Sequence, residues 1–427
     1  MGSEQQERKR IGDVVTRLRD AGYPLVMTNY RAGPVRPDVV GFLPTRAGTL
    51  LPHAVVELKN FRHLQVRQGE RALEQLASYR QALGTRVHYL VTGDGWHRAD
   101  TGLRALTEVP GPGEVWDQAS HRDFVLDDDS VIRGVLDGEL WSRLDAVRGH
   151  GGSGLDEVIA VLRAAADGSV SGRLGPNIVF DKDVLWSVVL EWLPTVMTRL
   201  ERRDLSTPAP ITDLMARLCD GFGGAVLDPF CGTGMLLARA GAIAAKSSVL
   251  YGRDLDTAMV SVAQELGNLA PNEVEVQRAD AFSDPLPAAD LVVTAPPFGL
   301  RLPEPFDLSN GDKTRDGDLA VIDTCLRALN PGGRLVMLTS KGWLFKTSAT
   351  RYRQYLAQES HIQALVGLPG GLLRATSIPT TIVVIDKKAP GETFVADMSA
   401  DWESELAEDG AAWQALRQHL GGRPDVD

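Results

Sequence analysis

Two groups of residues in this sequence are spaced as reactive sites are. Asp38, in Arg36-Pro37-Asp38, precedes Glu57-Leu58-Lys59 by nineteen residues. Two carboxylates are hard oxygen ligands suited to Mg²⁺, and a lysine two residues along a strand from Glu57 faces the same side, where it can hold a water or offset charge building on a phosphate. Mid-chain, Asp228-Pro229-Phe230-Cys231-Gly232-Thr233-Gly234 reads as a strand end, a glycine-rich turn and a helix start. Glycines let the backbone approach a ligand closely, and a helix N-terminus offers free N–H groups to a carboxylate. Asp254 and Asp280 end the next two strand-like stretches, where a carboxylate can accept from ribose hydroxyls and from an adenine amino group. Three acids at successive strand ends, with no G-x-G-x-x-G in the turn after Asp228, fit S-adenosylmethionine better than a dinucleotide.

Periodicity supplies the framework around these residues. In residues 1–110 an amphipathic run at Glu7–Asp20, apolar stretches at Pro37–Leu43 and Ala54–Leu58, a helix at Gly69–Ala82 and a strand at Arg86–Thr92 make a small α/β unit. Residues 111–205 read as a mostly helical connector, broken at Gly149–Gly154, with Trp141, Trp186 and Trp192 on apolar faces as core anchors. Residues 206–395 repeat helix, strand and glycine-rich turn, which predicts a doubly wound, mostly parallel sheet. Residues 396–427 form an acidic tail with a peripheral helix.

Composition limits the partners. The net charge is -11, but residues 1–110 carry 16 Lys+Arg against 11 Asp+Glu, so any phosphate-binding surface is local. The three cysteines and eight histidines show no zinc-ligand spacing. No basic-apolar-small leader or membrane-length apolar run is present, so a cytoplasmic protein without membrane association is expected.

In order along the chain, Arg36–Phe42, Val55–Asn60, Gln75–Tyr79 and Leu90–Gly95 together resemble the N-terminal nuclease domain of type I restriction endonuclease subunits, members of the PD-(D/E)xK superfamily. That resemblance implies a restriction-endonuclease-like α/β domain in which Asp38 and Glu57 ligate Mg²⁺, Lys59 is catalytic, Gln75 and Tyr79 line the site, and Glu7 is a further candidate ligand. The alternative is a degenerate nuclease fold that only grips DNA. Ser206-Thr207-Pro208, Asp228–Gly234, Thr294–Gly299, Leu329–Arg334, Gly367–Pro369 and Ile378–Thr381 resemble the methyltransferase subunit of type I restriction-modification systems, an N6-adenine DNA methyltransferase. It implies a Rossmann-like class I methyltransferase fold, with Thr207, Asp228, Phe230, Gly232, Gly234, Asp254, Asp280 and Phe282 around S-adenosylmethionine and Ala295-Pro296-Pro297-Phe298 at the target base.

One position departs from the family pattern. The residue before the two prolines ordinarily carries an amide, carboxylate or hydroxyl that accepts from the target amino group, while the aromatic stacks on a flipped-out base. Ala295 has only a methyl group. The domain is then a silent reader of cofactor or DNA, a methyltransferase for an acceptor that needs no such polarisation, or a chain altered to trap a complex. The expected whole is a DNA restriction-modification or phage-defence protein that joins a Mg²⁺-dependent nuclease to an adenine-methyltransferase-like domain, with a separate specificity or other defence-complex subunit. The alternatives are a non-catalytic DNA- and cofactor-binding subunit, or a methyltransferase acting on RNA or a small molecule.

Overall fold

The computed structural model describes residues 2–30, 34–45, 49–61, 63–115, 124–147, 154–168, 170, 178–200, 207–244, 248–373 and 378–421. Ser206, residues 149–153 of the expected joint, residues 422–427 and the side chain of Glu7 lie outside them. The chain forms two compact units, Met1–Val189 and Leu190–Asp427, whose boundary falls inside the segment expected to be a connector.

The first unit comprises α1 (Gly2–Asp20), β1 (Leu25–Thr28), β2 (Val39–Pro44), β3 (Leu50–Leu58), α2 (Val66–Leu83), β4 (Val87–Val91), β5 (Trp96–Ala99) and β6 (Leu106–Val109), followed by β7 (Phe124–Leu126), α3 (Asp129–Val147), α4 (Leu155–Asp167) and β8 (Ile178–Phe180). Strands β1 to β6 make one sheet in sequence order, antiparallel except for β3 and β4. A parallel neighbour requires a crossover, and α2 supplies it. The β2 and β3 segments are rich in buried valine, which packs well on a pleated sheet: Val39, Val40, Val55 and Val56 are inaccessible to solvent. Helix α2 opens with a capping box between Gln65 and Gln68 and closes on Gly84, whose φ of 68° suits a residue without Cβ.

Residues 111–205, expected as a mostly helical connector, contain α3, α4 and α5 (Lys182–Arg199) together with the short strands β7 and β8. Of the tryptophans expected as core anchors, Trp192 is 1% exposed and Trp186 is buried, whereas Trp141 is 43% exposed and outside the core. Periodicity gave its helix an apolar side, but Trp141 lies beyond the buried stripe of Val131, Ile132, Val135, Leu136 and Leu140.

The second unit continues with α6 (Ala209–Arg217), β9 (Ala225–Asp228), α7 (Met235–Ile243), β10 (Val249–Asp254), α8 (Thr257–Gly267), β11 (Glu273–Arg278), β12 (Ala289–Thr294), β13 (Arg301–Asp307), β14 (Lys313–Asp316), α9 (Gly317–Ala328), β15 (Leu329–Ser340), α10 (Gly342–Phe345), α11 (Thr350–Glu359), β16 (His361–Leu368), β17 (Thr380–Asp386), β18 (Phe394–Asp397), α12 (Trp402–Glu405) and α13 (Ala411–His419). Eight strands form one sheet in the order β11-β10-β9-β12-β15-β17-β16-β18. Only β17 runs antiparallel to its neighbours. The order reverses at β9, so the ends of β9, β10 and β12 flank a switch point, where open α/β sheets hold ligands. Apolar clusters cover both faces of this sheet.

One buried ion pair locks its far side. Arg334 on β15 meets Asp386 on β17 through two bonds, 2.7 and 3.1 Å, and Gln363 of β16 donates to the same carboxylate at 2.7 Å. Burial alone would raise the Asp386 pKa, but the bonds from Arg334 and Lys388 outweigh it and hold the carboxyl below its usual range. Removing one partner strands the other charge in the core, so Asp386→Ala should cost about 3–5 kcal/mol in urea unfolding. Because the folded pKa is depressed, the pair's contribution is complete above the unfolded carboxylate value of about 4 and is lost as pH falls below it. Stability of the parent should therefore drop below that pH more steeply than that of Asp386→Ala.

Candidate active sites

Sheet register brings the N-terminal acids together. Val39 pairs with Val56, so Asp38, one residue before β2, stands opposite Glu57 at the end of β3. Asp38 Oδ2 accepts from the Leu58 amide at 2.7 Å. Glu57 is 3% exposed, and its oxygens are engaged from two elements. Lys59 Nζ donates to Oε1 at 2.7 Å, Gln75 Nε2 to the same oxygen at 2.8 Å, and the Tyr79 hydroxyl to Oε2 at 2.9 Å. Gln75 and Tyr79 lie four residues apart on α2, so they share the face laid over β3. Burial and the Glu57 carboxylate both raise the Tyr79 pKa, which keeps its hydroxyl a proton donor.

Arg10 is not marked by any motif, because its bonds are remote in sequence. It donates to the Lys59 carbonyl at 3.1 Å, the Val91 carbonyl at 3.3 Å and Asn60 Oδ1, bracing the strand ends beside the cluster. The expected Mg²⁺ pair stands without further protein ligands: among the described residues no group of three or more His, Cys, Asp or Glu side chains could hold a metal ion. Two carboxylates still fit Mg²⁺ as a minimal set, since that ion keeps several waters and uses one or two carboxylates together with substrate phosphates. To ligate it, Glu57 would exchange one of its present donors for the ion.

In the second unit, Asp228 ends β9 with 1% exposure. Its Oδ1 accepts from the Phe230 amide at 3.0 Å and from the Thr294 hydroxyl, at the end of β12, at 2.7 Å. Asp254, ending β10, accepts from the Gly232 amide at 2.8 Å and the Asp256 amide at 2.9 Å. The turn between them needs glycine: Gly232 and Gly234 have φ of 52° and 78°, and a Cβ on Gly234 would stand 3.0 Å from the Ala263 methyl. Asp280 lies two residues beyond β11, where its Oδ1 accepts from the Phe282 amide at 3.0 Å. The Phe282 ring lies 5.6 Å from that of Phe230.

A crevice open to solvent gathers Thr207, Asp228, Phe230, Gly232 and Ala295 among its lining residues. Asp254 joins this wall through its bond to Gly232, and Phe282 through Phe230. Gly234, Asp280, Pro296, Pro297 and Phe298 are not among the lining residues. Pro296 is buried, Pro297 exposed, and Phe298 half-buried against the edge of the core.

Sequence reasoning missed Pro194 and Met197, which form part of the crevice wall from α5. The available signal was a proline inside a helix. It removes the amide that would bond the Leu190 carbonyl, and Arg239 of α7 donates to that carbonyl at 3.0 Å while also pairing with Asp213 of α6. One guanidinium thus ties three helices around the crevice.

This sheet order, with a glycine-rich turn at the switch point, is a methyltransferase fold. A crystal structure from Listeria monocytogenes described as a class I S-adenosylmethionine-dependent methyltransferase superposes with a TM-score of 0.54 over 68% of this chain and 98% of that one, at 16% identity. Residues 191–411, more than half of the chain, match the family model N-6 DNA Methylase, and the chain belongs to that family. A tRNA (guanine(6)-N2)-methyltransferase of Thermus thermophilus is 33% identical over 142 residues, 32% of this chain and 40% of that protein. The type I restriction enzyme StySPI methylase subunit of Salmonella potsdam is 28% identical over 103 residues, 24% of this chain and 20% of that subunit. The chain spans less than half the length of these curated relatives. Among the described residues no helix is long and apolar enough to cross a membrane.

Burial pushes the Asp228 carboxyl up to about 7 against the opposing bonds from Thr294 and Phe230, with nearby Asp254 adding to the rise. A raised folded pKa means that ionising this group costs stability once pH exceeds the unfolded value, the cost growing until pH passes the folded one. Asp228→Asn keeps an acceptor for both bonds without the charge. Without ligand, its urea midpoint should rise relative to the parent between pH 5 and pH 8; an unchanged difference would show that the carboxyl is not perturbed.

Proposed function

We propose that this chain is a DNA-directed restriction-modification or phage-defence protein in which residues 206–395 bind S-adenosylmethionine beside an extruded adenine and residues 1–110 cut DNA with Mg²⁺. The carrying observation is the crevice, which collects Thr207, Asp228, Phe230, Gly232 and Ala295 from separate elements. Asp228 and Asp254 hold the glycine turn in a shape that exposes backbone to the ligand, and the start of α7 offers its amides to a carboxylate. When bound, S-adenosylmethionine supplies an electrophilic methyl group. Phe298 is the stacking surface for the base, and Asp280 and Phe282 belong to the adenine end of the cofactor pocket.

Ala295 governs the step after binding. An acceptor at this position builds lone-pair character on the target nitrogen, and losing one such polar group costs about 3–4 kcal/mol in comparable sites, two to three powers of ten in rate. The present chain is therefore a weak adenine methyltransferase that reports site or methylation state by occupancy. Ala295 lines the crevice, so an amide placed there reaches it. Ala295→Asn should raise methyl transfer to unmodified DNA at least 100-fold with little change in S-adenosylmethionine affinity by calorimetry; no gain would show that the alanine is not the lesion.

In the first unit, Asp38 and Glu57 would hold Mg²⁺, and Lys59, on the face of Glu57, would steady the attacking water or the phosphate charge. The ion would supply Lewis acidity at the scissile phosphate. Support lies in the meeting of Asp38, Glu57, Lys59, Gln75 and Tyr79 at one strand end. Mg²⁺-dependent cleavage of unmodified DNA should fall more than 100-fold in both Asp38→Ala and Lys59→Ala. Persistent cleavage in these variants would reject the site. A separate specificity subunit belongs to this proposal and draws support from the similarity to a type I methylase subunit.

A methyltransferase acting on RNA is the second reading, favoured by the 33% identity to a protein whose name specifies a tRNA guanine. Methyl transfer to tRNA in the absence of DNA separates it from the first.

A further inference from the structure

Six large apolar side chains are exposed among the described residues of the second unit: Ile243, Leu255, Leu300, Phe345, Ile378 and Val395. Four of the six gather at one edge of the sheet. Leu255 follows β10, Leu300 follows β12, Phe345 follows β15, and Ile378 precedes the antiparallel β17, so all lie at the edge where Ala295-Pro296-Pro297-Phe298 leaves β12. Scattered apolar residues need no explanation, but a rim of them around a candidate site does.

Phe345 stands out at 78% exposure, and it is not on a loose loop. Two residues earlier, Trp343 is 1% exposed and pins α10 to the core. Arg353 donates at 2.8 Å to the carbonyls of both Trp343 and Lys346, and the Lys346 amide closes the turn on the Gly342 carbonyl at 3.1 Å. Lys346 Nζ pairs with Asp316 at 2.5 Å, and the next residue, Gly317, donates to the Leu300 carbonyl at 2.8 Å. The pedestal of Phe345 is thereby chained, bond by bond, to the loop that carries Phe298. An aromatic held rigidly in water loses little conformational freedom when a flat partner covers it.

We infer that Phe345 stacks on the bases of a DNA strand beside the base taken up at Phe298, filling the step that extrusion leaves open. This rests on the base-modifying reading of the second unit. Its chemistry is that of an aromatic platform, since every base has a π-face; the lysines that flank it, Lys341 and Lys346, are paired with Asp397 and Asp316, so stacking carries the contact. An apolar side chain inserted into an unstacked step is an established way to hold a distorted strand.

Binding of a fluorescein-labelled, mixed-sequence single-stranded DNA to the full chain, with S-adenosylmethionine present, tests this by anisotropy. Phe345→Ala should weaken binding about fivefold to 150-fold, the range of one lost base–aromatic stack. Phe345→Trp should retain affinity within about twofold, because indole stacks at least as well. Calorimetry should give the parent's S-adenosylmethionine affinity in both variants, which also shows that they are folded. If the cofactor binds and strand affinity is indifferent to residue 345, this inference fails while the cofactor reading stands. A parent that binds no S-adenosylmethionine undoes the reading beneath it. Tighter binding to RNA of the same sequence would overturn the assignment to DNA.

Discussion

The hydrogen bond from the Thr294 hydroxyl to the buried Asp228 carboxylate holds the second unit's chemistry in place. It joins the tip of β9, which starts the glycine turn, to the tip of β12, which starts Ala295-Pro296-Pro297-Phe298. Those strands are neighbours, but their loops diverge at once, and nothing in the sheet ladder controls loops beyond its last rung. With Asp228 accepting from both Thr294 and the Phe230 amide, the two loops share one anchor. The arrangement keeps a carboxyl in a site where burial opposes its ionisation, a strain of the kind that clusters at functional sites.

The first unit solves a similar problem differently. Glu57 is as deeply buried as Asp228, yet its oxygens receive Lys59, Gln75 and Tyr79. One carboxylate is thus matched by a cation and two neutral donors, whereas the other is held by an amide and a hydroxyl alone. That contrast separates a carboxylate saturated by side-chain donors from one that organises a turn.

Much of this was legible in the sequence, because strand tips announce themselves. The apolar stretches before Glu57, Asp228 and Asp254 end at the acids, and glycine marks the turn that φ values of 52° and 78° require. The crevice wall contributed by Pro194 and Met197 was not legible, since helical periodicity shows which face of α5 is apolar without showing what that face covers. Arg10 and Arg239 were invisible for a related reason: each acts on main-chain carbonyls far away in sequence, and a carbonyl has no residue type to read. Trp141 illustrates the reverse error, an aromatic on an amphipathic helix that the fold leaves partly in solvent.

The alanine at 295 stands in surroundings otherwise complete. Its preceding residue is anchored, its two following prolines stiffen the loop, and Phe298 packs against the core edge. A site losing function by drift would be expected to loosen in several of these places at once, because each costs stability to maintain: a buried carboxyl, two glycines in the left-handed region, a proline in a helix with an arginine recruited to its freed carbonyl. On the proposed reading, the position that would face the target nitrogen carries only a methyl group, while the groups that shape the crevice remain. In the function proposed above, binding and chemistry are separated at this single Cβ, an arrangement suited to a domain whose occupancy, more than its turnover, carries the information.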